Sequence, residues 1–139
     1  AFSARYGPPR AFASPGFRFN DAVLDLLDRE GYAYASDMAG EEPFLPAGRT
    51  TWQVPVNVMG QGRVPLVEQG LARGRDETAI VDDIVRSIES RRWALMYGHP
   101  YVEGVRADLL EQVLQRVADG REIVTVGTYL ERWRSGRAG

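Results

Sequence analysis

A chain of 139 residues, 44% hydrophobic and 26% charged, is long enough to bury one core and is composed like an ordinary globular domain. It contains no cysteine, which excludes disulfides, thiolate nucleophiles and Cys-type zinc sites; all 17 basic residues are Arg, which excludes a Schiff-base or P-loop lysine. A formal charge of −2 with interspersed signs gives no footprint for nucleic acid, so no nucleic-acid partner is expected. No apolar run approaches the roughly 18–20 residues that span a bilayer, so no transmembrane segment is expected either.

The chain opens on "AFSARYGPPRAFASPG" without an initiator Met, as expected of a processed product, a cloned fragment or a piece of something longer. "RAFA" reads as a short strand running into Ser14-Pro15-Gly16. "FNDAVLDLLDREGY" predicts a helix with Asn20 as N-cap, Asp21 in the first turn and Gly31 just past the end. Val23, Leu26, Leu27 and Glu30 fall at helical spacing, which predicts one buried side. "YAYAS" (32–36) predicts a strand ending at Asp37, and 38–50 is loop by composition. "TWQVPV" (51–56) predicts a strand reaching Asn57, with Pro55 placing its second half at an edge or end. Residues 57–75 read as a long Gly-rich connection, functional or mobile. Gly60 and Gly62 there imitate a phosphate loop only superficially, with no helix close behind and no lysine. "DETAIVDDIVRSIES" (76–90) predicts a helix with Ile80, Ile84, Val85 and Ile88 on one stripe. "WALMYG" (93–98) predicts a buried strand delivering His99, the only histidine. A helix over 105–119 carrying Leu109, Leu110, Val113, Leu114 and Val117, a strand over 122–126 and a short helix over 128–134 complete the series.

Alternating helices and short apolar strands predict a parallel α/β fold of four or five strands and four helices, with antiparallel α+β as the alternative. Sites in parallel α/β folds form beyond the carboxyl ends of strands. Here those ends carry Ser14, Asp37, Asn57 and His99: hydroxyl, carboxylate, amide and imidazole on one rim. Each has a plainer alternative. His99 is either a turn or core histidine or a general acid; with no second imidazole it is not expected to belong to a metal site in this chain. Asp37 also suits an Asx turn, Glu103 the start of a helix, and Arg18 a solvated surface.

"FASPGFRFNDAVLDLLDREGYAYASD" resembles the third and fourth motifs of polysaccharide deacetylases of the NodB-homology type, and "ALMYGHPYVEG" resembles their fifth. Within that family "GFRFND", "YASD", "QVPVN" and "GHPYVEG" are most similar to the deformylases acting on undecaprenyl-phosphate formamido-arabinose. Order and approximate spacing agree over nearly the whole chain. The resemblance implies the C-terminal half of a distorted (β/α) barrel and a metal-dependent deacetylase or deformylase hydrolysing the amide of an N-acylated sugar or sugar-lipid. It implies His99 as the acid that protonates the departing amine, with Asp37 orienting it. Ser14, Pro15 and Gly16 would wall the substrate groove, Arg18 would hold a carboxylate or a substrate anion, and Asn57 and Glu103 would complete the groove. The usual motif arginine falls at Ala13, so that contact depends on Arg18 taking its place.

The family's early Asp-Asp pair and His-x-x-x-His metal motif have no counterpart in this sequence. The resemblance therefore implies a divalent metal, zinc or similar, with all ligands outside this chain. It also implies a partner: the N-terminal half of the same enzyme, or another chain, covering otherwise open sheet edges. A cytoplasmic, membrane-peripheral setting would suit a sugar-lipid substrate. Two other readings remain open from the residues: a non-catalytic α/β binding module, and a metal-independent enzyme using His99 with Asp37.

Overall fold

The computed structural model describes residues 10–103 and 106–136. The chain divides into two compact units, one ending at Val56 and the other beginning at Asn57.

The first unit is built on a three-stranded parallel sheet of order β1-β2-β3: β1 (Ala11–Phe12), β2 (Tyr34–Ala35) and β3 (Trp52–Gln53). Tyr34 lies opposite Ala11 on one side and Trp52 on the other. The ladder extends past the strand ends through Ser36 N–H to Phe12 O (3.0 Å) and Val54 N–H to Ala35 O (2.8 Å). The outer side of β3 is closed by an antiparallel bridge from Phe44, so the 38–50 loop covers that edge itself.

Helix α1 (Asp21–Arg29) crosses from β1 to β2. Its start follows the predicted chemistry: the Asn20 side chain accepts from Val23 N–H at 3.0 Å. Its end does too, because Gly31 takes φ 73 and lets Tyr32 N–H reach back to Leu27 O at 3.0 Å. The buried stripe differs from expectation. Leu24 and Leu27 are buried and Val23 is partly buried, whereas Leu26 is 43% exposed and Glu30 lies at the surface. At about 100° per residue the inward direction falls between Leu24 and Leu27, which puts Leu26 on the outer flank.

The second unit is helical: α2 (Leu66–Ala72), α3 (Glu77–Glu89), α4 (Pro100–Glu103), α5 (Ala107–Ala118) and α6 (Val126–Arg134). Its core joins Val67 of α2, Ile80, Val81, Ile84 and Val85 of α3, and Leu109, Val113 and Val117 of α5. Asp76 caps α3 by accepting from Ala79 N–H at 3.1 Å. Arg121 closes the other end of that helix, donating to the carbonyls of Ile88 (3.2 Å) and Glu89 (3.0 Å).

Three sequence expectations change here. The 57–75 connection contains α2, so a helix does follow Gly60 and Gly62 closely. Gly70 is a packing glycine within it: a Cβ there would stand 2.5 Å from Ile80 Cγ1, so its absence lets α2 lie directly on α3. "WALMYG" is not a strand. It makes a single parallel bridge, Met96 to Val58, with the N–H groups of Asn57 and Val58 both donating to Leu95 O at 3.1 Å. The 122–126 segment is not a strand either. Thr125 caps α6, accepting from Thr128 N–H at 3.1 Å, and Val126 is already helical. Both segments are β-like in composition, but a strand exists only by pairing, and pairing is not local. The described residues thus hold three strands and six helices, against four or five and four expected.

Candidate functional site

In the first unit, the carboxyl ends of the strands converge on Asp37, which is fully buried. Its Oδ1 accepts from Ser14 N–H at 2.6 Å and from Ser14 Oγ–H at 2.7 Å. Ser14 opens the short 3₁₀ turn Pro15–Phe17, in which Gly16 (φ 64) and Phe17 (φ 57) are both left-handed. Glycine adopts that conformation freely; phenylalanine is strained there, and Asp37 pins the start of the turn that imposes it. Phe17 N–H closes the turn on Ser14 O at 3.1 Å. Pro15, Gly16 and Arg18 lie exposed around it. Ser14 and Asp37, two of the four strand-end residues expected on one rim, thus meet directly.

It missed Gln53. This fully buried β3 side chain accepts through Oε1 from the N–H groups of Asp37 and Met38, both at 3.2 Å, and so shapes the backbone that carries Asp37. Two donors on one oxygen fix the amide's orientation, and its Nε2 is left as a buried donor without a hydrogen bond.

In the second unit, both ends of the Asn57 amide are engaged by backbone. Oδ1 accepts from Leu95 N–H at 2.9 Å, and Nδ2 donates to Trp93 O at 3.2 Å. Asn57 thereby performs for the 93–95 segment the pairing that a strand would have performed.

His99 sits not at the end of a buried strand but at the start of α4, where its carbonyl accepts from Val102 N–H at 2.8 Å. Its side chain is 42% exposed. Nδ1 lies 2.5 Å from Oε1 of Glu68, an α2 side chain that is only 17% exposed. Two tyrosines flank the ring. Tyr101 stacks on it with centroids 5.3 Å apart and planes 19° from parallel, and Tyr97 meets it edge-on at 5.9 Å. The Tyr97 hydroxyl donates to the carbonyl of Arg63, which anchors that ring to the turn before α2. Glu103 ends α4, and its side chain lies outside the described residues.

Glu68, Tyr97 and Tyr101 were not read from sequence as site residues. The usable signal for Glu68 was Pro65 followed by an acidic first turn, a helix-start pattern obscured by the surrounding glycines. Chemically the arrangement is an imidazole held at one nitrogen by a carboxylate on a partly exposed side chain. The described residues contain no group of three or more His, Cys, Asp or Glu able to hold a metal, so they do not fit a metal centre of their own. A separate cavity of about 460 Å³ in this unit is walled by Trp93, Leu95, Val113, Ile123 and Tyr129, and none of the expected site residues lines it.

No family model matches the chain, and no solved structure matches it.

Proposed function

We propose that this chain is the C-terminal half of a parallel (β/α) barrel amide hydrolase of the deacetylase–deformylase kind, in which His99 is the general acid. The substrate class is an N-acylated sugar or sugar-lipid, as the likeness of "GFRFND", "YASD", "QVPVN" and "GHPYVEG" to that family implies. The observation that carries the proposal is the geometry at His99: an accessible imidazole with one nitrogen held by a carboxylate and the ring flanked by two tyrosines. The parallel order of β1, β2 and β3 and the meeting of Ser14 with Asp37 at their carboxyl ends support the same reading.

The proton balance is simple. Water adds its oxygen to the acyl carbon and gives a proton to the base that the family supplies from outside this chain. The C–N bond breaks as the imidazolium of His99 gives its Nε2 proton to the departing nitrogen, and the base and solvent return a proton to the ring and release the other. The products are a free amine and a carboxylate. The family's divalent metal, which polarises the amide carbonyl when bound, would be held by residues outside this chain. The likeness implies Ser14, Pro15, Gly16, Arg18, Asn57 and Glu103 as the groove residues, and within the first unit Asp37 holds the turn that Ser14 opens.

The test is reconstitution. Coexpressed with a segment carrying the Asp-Asp and His-x-x-x-His motifs, the chain should release acetate or formate from an N-acylated amino sugar. His99→Asn should lower kcat by roughly 10²- to 10⁴-fold, the range for removing a positioned acid, with metal content unchanged. Loss of metal would make His99 a ligand. Unchanged kinetics would make it a turn residue.

A further inference from the structure

We infer that Glu68 is the positioning residue of His99: its carboxylate fixes the proton of the neutral ring on Nδ1 and leaves Nε2 as the nitrogen that exchanges protons with a bound molecule. The catalytic meaning of this assignment rests on the general-acid reading above; the assignment of the proton does not.

An ionised carboxylate can only accept, so a ring nitrogen 2.5 Å from Glu68 Oε1 must carry hydrogen in both charge states of the ring. The neutral ring then has its lone pair on Nε2, and the cationic ring adds its second proton there. Nε2 has no hydrogen-bond partner among the described residues, and the side chain is accessible enough to meet one from outside.

Glu68 is also mounted firmly. It stands in the first turn of α2, with buried Val67 before it and Gly70 pressed on Ile80 after it, so its Cα is set by the contact of two helices. The ring is restrained as well: Tyr101 covers one face, Tyr97 meets it edge-on, and Tyr97 is itself tied to Arg63. Turning the imidazole over would break the Glu68 contact. When Nε2 gives up its proton, the ring left behind is already the tautomer that Glu68 accepts from. Donation therefore needs no proton transfer to Glu68 and no rotation of the ring.

His99 is the only histidine in the chain, so ¹⁵N-labelled histidine yields the spectrum of a single ring. At a pH where the ring is neutral, the labelled chain reconstituted with an unlabelled partner half should show a protonated Nδ1 and an unprotonated Nε2. Glu68→Ala should move the proton predominantly to Nε2, the form free imidazole side chains prefer. In the reconstituted enzyme Glu68→Ala should lower kcat roughly 10²-fold, the scale of a misplaced catalytic group, while KM holds. The double variant with His99→Asn should be no slower than His99→Asn alone. A proton on Nε2 in the neutral wild-type ring, or a tautomer unmoved in Glu68→Ala, overturns the assignment. The wild-type spectrum needs no variant, so a Glu68→Ala chain that fails to fold leaves the test intact. A normal kcat in His99→Asn beside the expected tautomer would end the general-acid reading while the Glu68 assignment stood.

Discussion

Asp28 shows how a carboxylate on a helix surface becomes a structural fixture. Its Oδ1 accepts from Thr50 N–H, Thr50 Oγ–H and Thr51 N–H at 3.0, 3.0 and 2.8 Å, and so joins α1 to the chain entering β3. Burial works to raise the carboxyl pKa, but the Thr51 side chain, the two backbone N–H groups and the Thr50 hydroxyl outweigh it and hold the group at about 2, below its ordinary 3.8. A pKa lowered by folding contributes stability that is complete above about pH 4 and is lost as the pH falls from there toward 2. Asp28→Ala should therefore cost about 1–2 kcal/mol at neutral pH, after allowance for the solvent that still touches the carboxylate, and much less at pH ~2. Urea titrations at the two pH values check this; an equal loss at both would mean that packing, not charge, is what Asp28 supplies. Nothing in the sequence near Asp28 announced the contact, because its partners lie 22 and 23 positions away. Asn20, whose partner is three residues on, was legible for the opposite reason.

The same contrast runs through the elements. Helices α1, α3 and α5 were readable because their apolar periodicity lies within one segment, joined in α1 by the Asn20 cap and the Gly31 stop. The segments over 93–98 and 122–126 were not, because whether an apolar run becomes a strand depends on what comes to lie beside it. Helix α2 was hidden by Gly70, which a sequence reading takes as a breaker and which the structure uses as a close-contact point. Losing α2 also meant losing Glu68, and with it half of the His99 site. Gly70→Ala tests this directly. On an exposed helix that change would be favourable by about 1 kcal/mol, but here the new Cβ meets buried, β-branched Ile80. A net destabilisation of about 1–3 kcal/mol is expected in thermal or chemical unfolding. Pairing it with Ile80→Val should recover part of the loss, since the two changes share one contact. A Gly70→Ala chain more stable than the parent would show that α2 does not pack as described.

For the whole molecule, the described residues contain no helix long and apolar enough to cross a membrane. What they contain is a small parallel sheet in one unit and a helical core in the other. The outer side of β3 is bridged by Phe44, and β1 forms the opposite edge of the described sheet. If the chain is half of a barrel, that edge is where the missing half continues. The isolated chain should then be oligomeric, molten or poorly soluble, and should become monodisperse when coexpressed with the partner half, as light scattering after gel filtration would show. A well-behaved monomer with a sharp cooperative melt and no partner would contradict the half-barrel proposal. The cavity of the second unit bears on how such experiments could be followed. One of its walls is Trp93, lying face to face with Tyr129 at 4.8 Å and 13°. Tyr129 belongs to α6, and Trp93 belongs to the irregular segment that Asn57 pins in place. Indole emission moves to the red and is quenched more readily once water reaches the ring. With Trp52 and Trp133 replaced by Phe, the docking of the last helix is therefore written into the emission of Trp93, readable in dilute solution without a label.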